Sequence, residues 1–181
     1  MVQIHLDSRF CRYARDIQLN LILIIAGSIL LTGCSAAYYG TMEKLGYPKR
    51  DLMVSRVESA RDAQQDAKEE FKSALEKFSS VLQVDGGDLE EKYEQLKTAY
   101  DKSSARAETV RDRIEAVEDV SEALFEEWQS ELDQYTSDSL RRSSARKLKQ
   151  TRRQYAQLIG AMKRAEKKME PVLVAFHDQV L

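Results

Sequence analysis

The cysteine at position 34 is the residue of this chain whose neighbours most clearly predict chemistry. It directly follows Leu31, Thr32 and Gly33, and these three residues close an apolar run that begins at Leu21. Three arginines precede the run: Arg9, Arg12 and Arg15. A basic lead, a short apolar stretch and small residues at its end are typical of a secretory signal that is cut at that end. The pattern therefore predicts a processing site with a thiol directly behind it.

The four residues from Leu31 to Cys34 resemble a bacterial lipobox. In lipoproteins with that motif the cysteine thiol receives a diacylglycerol, the peptide is cut just before the cysteine, and the new amine is acylated. The resemblance implies a lipoprotein signal peptide over residues 1–33 and a lipidated tether over residues 34–47. A bilayer crossing needs about 20 apolar residues, so the run is too short for a good permanent span. A plain secreted protein, or an uncleaved anchor, would be the other interpretation of this segment.

A triacylated Cys34 would make the lipid membrane the first partner of the chain, because two or more acyl chains hold a protein stably at a bilayer. An aspartate directly after the cysteine is typical of lipoproteins retained in the inner membrane. This chain has Ser35 there, which resembles the outer-membrane pattern. The expected location is therefore the inner leaflet of the outer membrane, facing the periplasm.

Other residues that could do chemistry are few. The sequence has two cysteines and two histidines; Cys11 and His5 would leave with the signal, and lipid would occupy Cys34. A disulfide, a zinc site of the usual His/Cys kind within one chain, and a nucleophile relay that does not use His177 are therefore excluded. The motifs Gly-x-Ser-x-Gly and His-Glu-x-x-His do not occur, and the glycines at 86 and 87 form no phosphate-binding loop. We expect no enzyme activity, no catalytic residues, no metal and no cofactor.

The spacing of apolar residues over 48–181 predicts an all-α domain. Gaps that alternate between four and three residues are typical of coiled-coil packing. Residues 85–87 break the pattern, Asp88 caps the next helix, and residues 136–139 supply a second turn and cap. The predicted helices cover about 48–84, 88–135 and 139–181, and Pro171 should kink or restart the third. Two short connections favour antiparallel neighbours, which gives an elongated antiparallel three-helix coiled-coil bundle.

Charge is divided between two neighbouring segments. Residues 108–138 contain eleven acidic and two basic side chains, whereas residues 139–170 contain eleven basic and two acidic ones. Like charges four residues apart destabilise a helix by roughly 0.2–0.5 kcal/mol per pair, so each block is unfavourable alone. An antiparallel hairpin would lay one block along the other and set its register. The predicted interhelix pairing set is Glu115, Glu118, Asp119, Glu122, Glu126, Lys149, Arg152, Arg153 and Lys163.

From Tyr38 onwards the chain is similar to an uncharacterised family of proteobacterial lipoproteins, domain of unknown function 2959. The segments that carry the resemblance are YYGTMEKLGYPKRDLMVSRVESARDAQ, DGGDLEEKYEQL, VRDRIEAVEDVSEALFEEW and TRRQYAQLIGAMKRAEKKMEPVLVAFHDQVL. The resemblance implies a mostly helical envelope protein of unsettled function, with no catalytic residues to carry over. It also implies that members tend to continue the third helix beyond position 181.

These observations predict a non-enzymatic, membrane-anchored periplasmic lipoprotein that acts as a coiled-coil structural or adaptor element of the cell envelope. Its partners would be the membrane, through Cys34, and a protein or a second copy, through the coiled coil. The alternative is a binding module whose basic third helix holds an anionic polymer or lipid surface. Nucleic acid is not an expected partner, because an exported chain would not meet the genome.

Overall fold

A computed structural model describes residues 34–82 and 88–180. The chain divides into two units, Met1–Gly46 and Tyr47–Leu181. Over the described residues the chain is almost entirely helical and contains no strand, which confirms the all-α prediction for that part of the chain. The α-helices are α1 (Cys34–Lys44), α2 (Lys49–Leu82), α3 (Leu89–Glu131), α4 (Asp138–Lys167) and α5 (Glu170–Val180).

In the first unit, α1 ends at a glycine. Gly46 has a φ of 88°, a backbone conformation that glycine adopts without the steric cost of a Cβ atom. Its N–H donates to the Glu43 carbonyl at 3.0 Å, and the Leu45 N–H donates to the Thr41 carbonyl at 3.2 Å. These bonds satisfy carbonyls that the last turn of a helix leaves without partners. Gly46 therefore ends α1.

The second unit, Tyr47–Leu181, is called the helical unit below. In it, α2 and α3 pack side by side and run in opposite directions. Lys49, in the first turn of α2, has its Nζ 3.2 Å from Glu127 Oε2 near the end of α3. Phe78, near the end of α2, shares a buried cluster with Leu96 near the start of α3. A second cluster, between these two, joins Ala67 to Ile114. The apolar core therefore follows α2 along much of its length, about 50 Å at 1.5 Å per residue.

The turns at both ends of α3 carry the predicted caps. Asp88 Oδ1 accepts a hydrogen bond from the Glu90 N–H at 2.9 Å, which confirms Asp88 as the cap. Glu91 does not complete a reciprocal capping box, because its Oε1 accepts from Gln95 Nε2 at 3.0 Å. At the other turn, Ser137 Oγ accepts from the N–H of Leu140 at 3.5 Å.

The end of α3 differs from the predicted boundary, whereas the third predicted helix is interrupted beside Pro171, where a kink or restart was predicted. The α-helical part of α3 stops at Glu131 and continues as a 3-10 turn over Leu132–Gln134. This turn buries Leu132, which is 7% exposed, in a cluster with Phe125 and Leu148. The third predicted helix is two helices, because α4 ends at Lys167 and α5 begins at Glu170. Pro171 lies in the first turn of α5, where its missing N–H costs no helical hydrogen bond.

The buried face of α3 is wider than the single stripe that the four–three spacing predicts, which consists of Leu89, Tyr93, Leu96, Tyr100, Ser103, Ala107, Val110, Ile114, Val117, Ser121, Leu124 and Trp128. α2, α4 and α5 all contact α3, so its apolar residues face neighbours on more than one side. Val120 is fully buried and Phe125 is 7% exposed, although neither lies on the predicted stripe. Conversely, Leu89 and Tyr93 lie on that stripe and are exposed, because the buried cluster at this end begins at Leu96. One helix that packs against several others needs a broader apolar face than a two-stranded coil.

Candidate functional site: the charged faces and groove of the helical unit

The predicted acylation residue is at the edge of the described chain. Cys34 begins α1, whereas Leu31, Thr32 and Gly33 lie outside the described residues. Of the described helices, none has both the length and the hydropathy that a bilayer crossing requires. The lipidation of Cys34 and the processing at Gly33 therefore stay predictions.

One pair of the predicted charge-pairing set is in direct contact. Lys163 Nζ donates to Glu118 Oε1 at 2.6 Å, which links α4 to α3. This hydrogen bond raises the pKa of Lys163 above its ordinary value. The ion pairs of the described residues do not include the other members of the set. All of those others are exposed: Glu115, Asp119, Glu122, Glu126, Lys149, Arg152 and Arg153.

Arg152 contacts α3 through a backbone carbonyl and an aromatic ring. Its Nη2 donates to the Phe125 carbonyl at 3.3 Å, and its guanidinium carbon lies 5.3 Å from the centroid of the Phe125 ring. The same ring also meets Tyr155 edge-on, with 5.4 Å between ring centroids. An arginine over an aromatic face is attractive because the ring carries negative potential there. Arg152 thus links the basic block to the acidic segment without pairing with a carboxylate.

Several contacts that fix the register of the helices were not predicted. Arg111 Nη2 lies 3.3 Å from Glu166 Oε1. Each of these residues has the charge opposite to that of its segment, because Arg111 lies in the mostly acidic segment and Glu166 in the mostly basic one. Such exceptions are a signal that sequence reasoning could have used. Trp128 Nε1 also donates to Ser144 Oγ at 2.9 Å near the α3–α4 turn, but nothing in the sequence pattern singles out that pair.

Two fully buried serines on α3 have different surroundings. Ser121 Oγ donates to the Val117 carbonyl at 2.6 Å. Burial raises the pKa of the nearby Tyr155. Ser103 Oγ, in contrast, has no hydrogen-bond partner among the described residues. A buried hydroxyl without a partner costs about 1–3 kcal/mol of desolvation.

Replacing Ser103 with alanine is expected to raise the free energy of unfolding by about 1 kcal/mol, because it removes a buried polar atom that gains no hydrogen bond. Ser121→Ala is the matched control: it makes the same chemical change at an equally buried position, but it removes the hydrogen bond from Ser121 to the Val117 carbonyl. We expect the two variants to differ by about 1–2 kcal/mol, with Ser121→Ala the less stable. Urea unfolding followed by circular dichroism measures both; equal midpoints would contradict the different roles of the two hydroxyls.

A groove of about 920 Å³ lies between α2 and the α4–α5 segment. Its apolar lining includes Phe71, Met169 and Val172. Gln64 also lines it and donates from Nε2 to the Met162 carbonyl at 3.1 Å. Four basic side chains also line it: Arg61, Lys68, Arg164 and Lys168. The volume falls within the range of about 300–1,000 Å³ that ligand sites occupy. No motif in the sequence pointed to this groove, because its two walls are far apart along the chain.

The described residues contain no group of three or more His, Cys, Asp or Glu side chains that could hold a metal ion. His177 lies beside Tyr100, with 5.5 Å between the ring centroids, and its Nδ1 is 3.9 Å from Asp178 Oδ1.

No curated protein and no solved structure matches this chain. A family match, however, covers residues 38–181, which include the end of α1 and the whole helical unit. The family is described as Protein of unknown function (DUF2959). Because the match covers most of the chain, this protein belongs to the DUF2959 family.

Proposed function

We propose that this protein is a non-enzymatic, membrane-anchored lipoprotein that acts as a coiled-coil structural or adaptor element of the cell envelope. The observation that carries the proposal is the position of Cys34 directly behind Leu31, Thr32 and Gly33, at the end of a short apolar run with a basic lead. A thiol at that position is the atom that lipoprotein processing would acylate. Ser35 supports sorting to the inner leaflet of the outer membrane, with the helical unit in the periplasm.

The structural or adaptor part rests on the long apolar seam of the helical unit. We propose that α2, α3 and the α4–α5 segment form an antiparallel three-helix coiled-coil bundle. Heptad spacing supports this architecture: Ala60, Ala67 and Ala74 are spaced by seven residues on α2 and are nearly inaccessible to solvent. The contact between Glu118 and Lys163 supports antiparallel packing of α3 and α4. A slender bundle of this kind presents long surfaces to a protein partner or to a second copy.

Replacing Cys34 with alanine is expected to abolish both the lipid mass and the cut before position 34, because cleavage follows acylation of that thiol. The intact mature protein should carry the mass of a diacylglycerol on Cys34 and an acyl group on its new amine. Cys11→Ala is the matched control and should leave both the cut and the lipid mass unchanged. Mass spectrometry of the protein from cells measures these outcomes; an uncut, unmodified N-terminus in the unchanged protein would refute the anchoring proposal.

A second candidate function is binding of an anionic polymer or lipid surface by α4. The observation that favours it is that most basic side chains of α4 have no carboxylate partner among the described residues, Lys163 and Arg141 being paired. This function would be favoured if the protein purified without residues 1–34 bound phosphatidylglycerol vesicles and released them steeply with rising salt.

A further inference from the structure

The groove between α2 and the α4–α5 segment has the features of a surface that binds a helix. Its two walls, α2 and the α4–α5 segment, both pack against α3. The walls also contact each other directly, because Gln64 Nε2 donates to the Met162 carbonyl. The stretches that line it, residues 61–71 of α2 and 161–172 opposite, are each about 15 Å long at 1.5 Å per residue. This is about three helical turns, the length over which amphipathic helices lie in grooves of partner proteins.

The apolar residues that line the groove are only partly covered by the rest of the protein. Ala165, Met169 and Val172 follow the coiled-coil spacing of four and then three residues, yet Ala165 and Val172 are exposed and Met169 is half-buried. Phe71 faces them from α2 and is also half-buried. These residues continue an apolar stripe that α3 leaves incompletely covered. A stripe with this spacing is complementary to the apolar stripe of another helix.

Four cations and one carboxylate, Asp62, line the groove, which gives it a net positive charge. Lys68 and Arg61 lie on the α2 side, whereas Arg164 and Lys168 lie on the opposite side. Arg61 pairs with Asp62 at 2.7 Å, but the ion pairs of the described residues include none of the other three cations. Charges beside an apolar seam select the partner in coiled coils. Basic flanks on both sides therefore select acidic flanks and disfavour basic ones.

We infer that this groove binds an acidic amphipathic helix of a partner protein, about three to four turns long, with apolar residues at coiled-coil spacing and Glu or Asp on both sides of that stripe. The bound helix would cover Phe71, Met169 and Val172, and its carboxylates would face Lys68, Arg164 and Lys168. This inference deepens the proposed adaptor function, on which it rests, by naming the chemistry of the partner. The groove itself does not depend on lipid at Cys34.

The probe for the test is a stapled 14-residue helical peptide of two heptads, with Leu at the a and d positions and Glu at the e and g positions. We expect it to bind the purified full-length protein in fluorescence anisotropy. The same peptide with Lys at e and g should not bind measurably. The double variant Arg164→Glu/Lys168→Glu should weaken binding about tenfold or more, because two attractive contacts become repulsive.

The control variant is Arg142→Glu/Arg146→Glu, which changes the same charge at the same four-residue spacing on an exposed part of α4 outside the groove. It should bind the acidic peptide within about twofold of the unchanged protein, since its charges lie about 27 Å along α4 from the groove residues. Circular dichroism of both variants shows whether they fold. Equal binding by both variants, or binding of the two peptides alike, would overturn the inference.

Dodecyl phosphate is a competitor that separates a helix site from a lipid site. If it binds in the groove while the acidic peptide does not, the occupant is an anionic amphiphile and the inference is wrong. Because these measurements use purified protein, a negative result would leave the mass-spectrometric result for Cys34 intact. Conversely, failure of lipidation in cells would not alter peptide binding in the groove.

Discussion

Replacing Phe78 with alanine is expected to lower the free energy of unfolding of the helical unit by about 3–5 kcal/mol. Phe78 is 3% exposed and stacks on Phe176 of α5, with 4.3 Å between ring centroids and an interplanar angle of 14°. Phe71 lies next to the same ring of Phe176 at 6.2 Å. Removing the Phe78 ring therefore leaves a cavity where α2, α3 and α5 meet, and it removes an aromatic contact as well.

The partner substitution Phe176→Ala tests whether this cluster holds α5 in place. Phe176 is 4% exposed, so its replacement is expected to lower the free energy of unfolding to a similar degree. If α5 detaches instead, the loss is limited to the free energy with which α5 packs on the rest of the unit. Since the two rings touch, the double variant should cost less than the sum of the single variants. A direct aromatic pair is expected to contribute about 0.5–1.5 kcal/mol of coupling.

Chemical denaturation of Phe78→Ala, Phe176→Ala and the double variant completes the cycle. Val174→Ala is a suitable control, because Val174 lies in the same helix as Phe176 and is 51% exposed. It should change stability by less than about 0.5 kcal/mol. A near-zero effect of Phe176→Ala would mean that α5 does not contribute to the fold of the helical unit.

The helices and their junctions could be predicted from local sequence signals. Asp88 was predicted to cap the next helix, and it does accept the N–H of Glu90, whereas the predicted break at residues 85–87 lies outside the described residues. Residues 136–139 predicted the second turn, where Ser137 caps α4. Such signals act within a few residues, so the sequence is sufficient to read them. The end of α3 was less predictable, because burial of Leu132 through a 3-10 turn depends on contacts with Phe125 and Leu148.

The detailed charge contacts could not be predicted from the two blocks. Exposed ion pairs contribute only about 0–1 kcal/mol each, so apolar packing decides which carboxylate meets which cation. Arg152 thus contacts the carbonyl and ring of Phe125, although the blocks alone suggested a carboxylate partner. Gln64 shows the same limit. It donates a hydrogen bond to the carbonyl of Met162, which lies 98 residues away along the chain. The groove follows from the relative placement of α2 and α4, and this placement has no local signal.

The close approach of α2 to α3 depends on small residues at regular spacing, and enlarging them is the second change with a large expected effect. Ala60, Ala67 and Ala74 are spaced by seven residues on α2 and are at most 2% exposed. The cluster around Ala60 and Ala67 places them against Val110 and Val117 of α3. A leucine at any of these positions would need space that the packed helices do not have. Overpacking of this kind costs about 1–3 kcal/mol per site.

The free energy of unfolding of the triple variant Ala60→Leu/Ala67→Leu/Ala74→Leu is therefore expected to be about 3–9 kcal/mol lower than that of the unchanged protein. The three sites are each about 10 Å apart along α2, a distance at which substitutions are nearly additive. A loss of this size is comparable to the whole stability of a typical domain, about 5–15 kcal/mol. Circular dichroism at 25 °C should then show reduced helix content or a much lower thermal midpoint, since α2 could no longer pack along α3.

Ala105→Leu and Ala156→Leu are matched controls, because both residues are exposed positions in long helices. Alanine and leucine have similar helix propensities, so each control should change stability by less than about 0.5 kcal/mol. If the triple variant kept its thermal midpoint, the alanines would not set the distance between α2 and α3. If single leucines were tolerated and only the triple variant unfolded, α2 would be able to shift around one larger side chain but not around a continuous row of them.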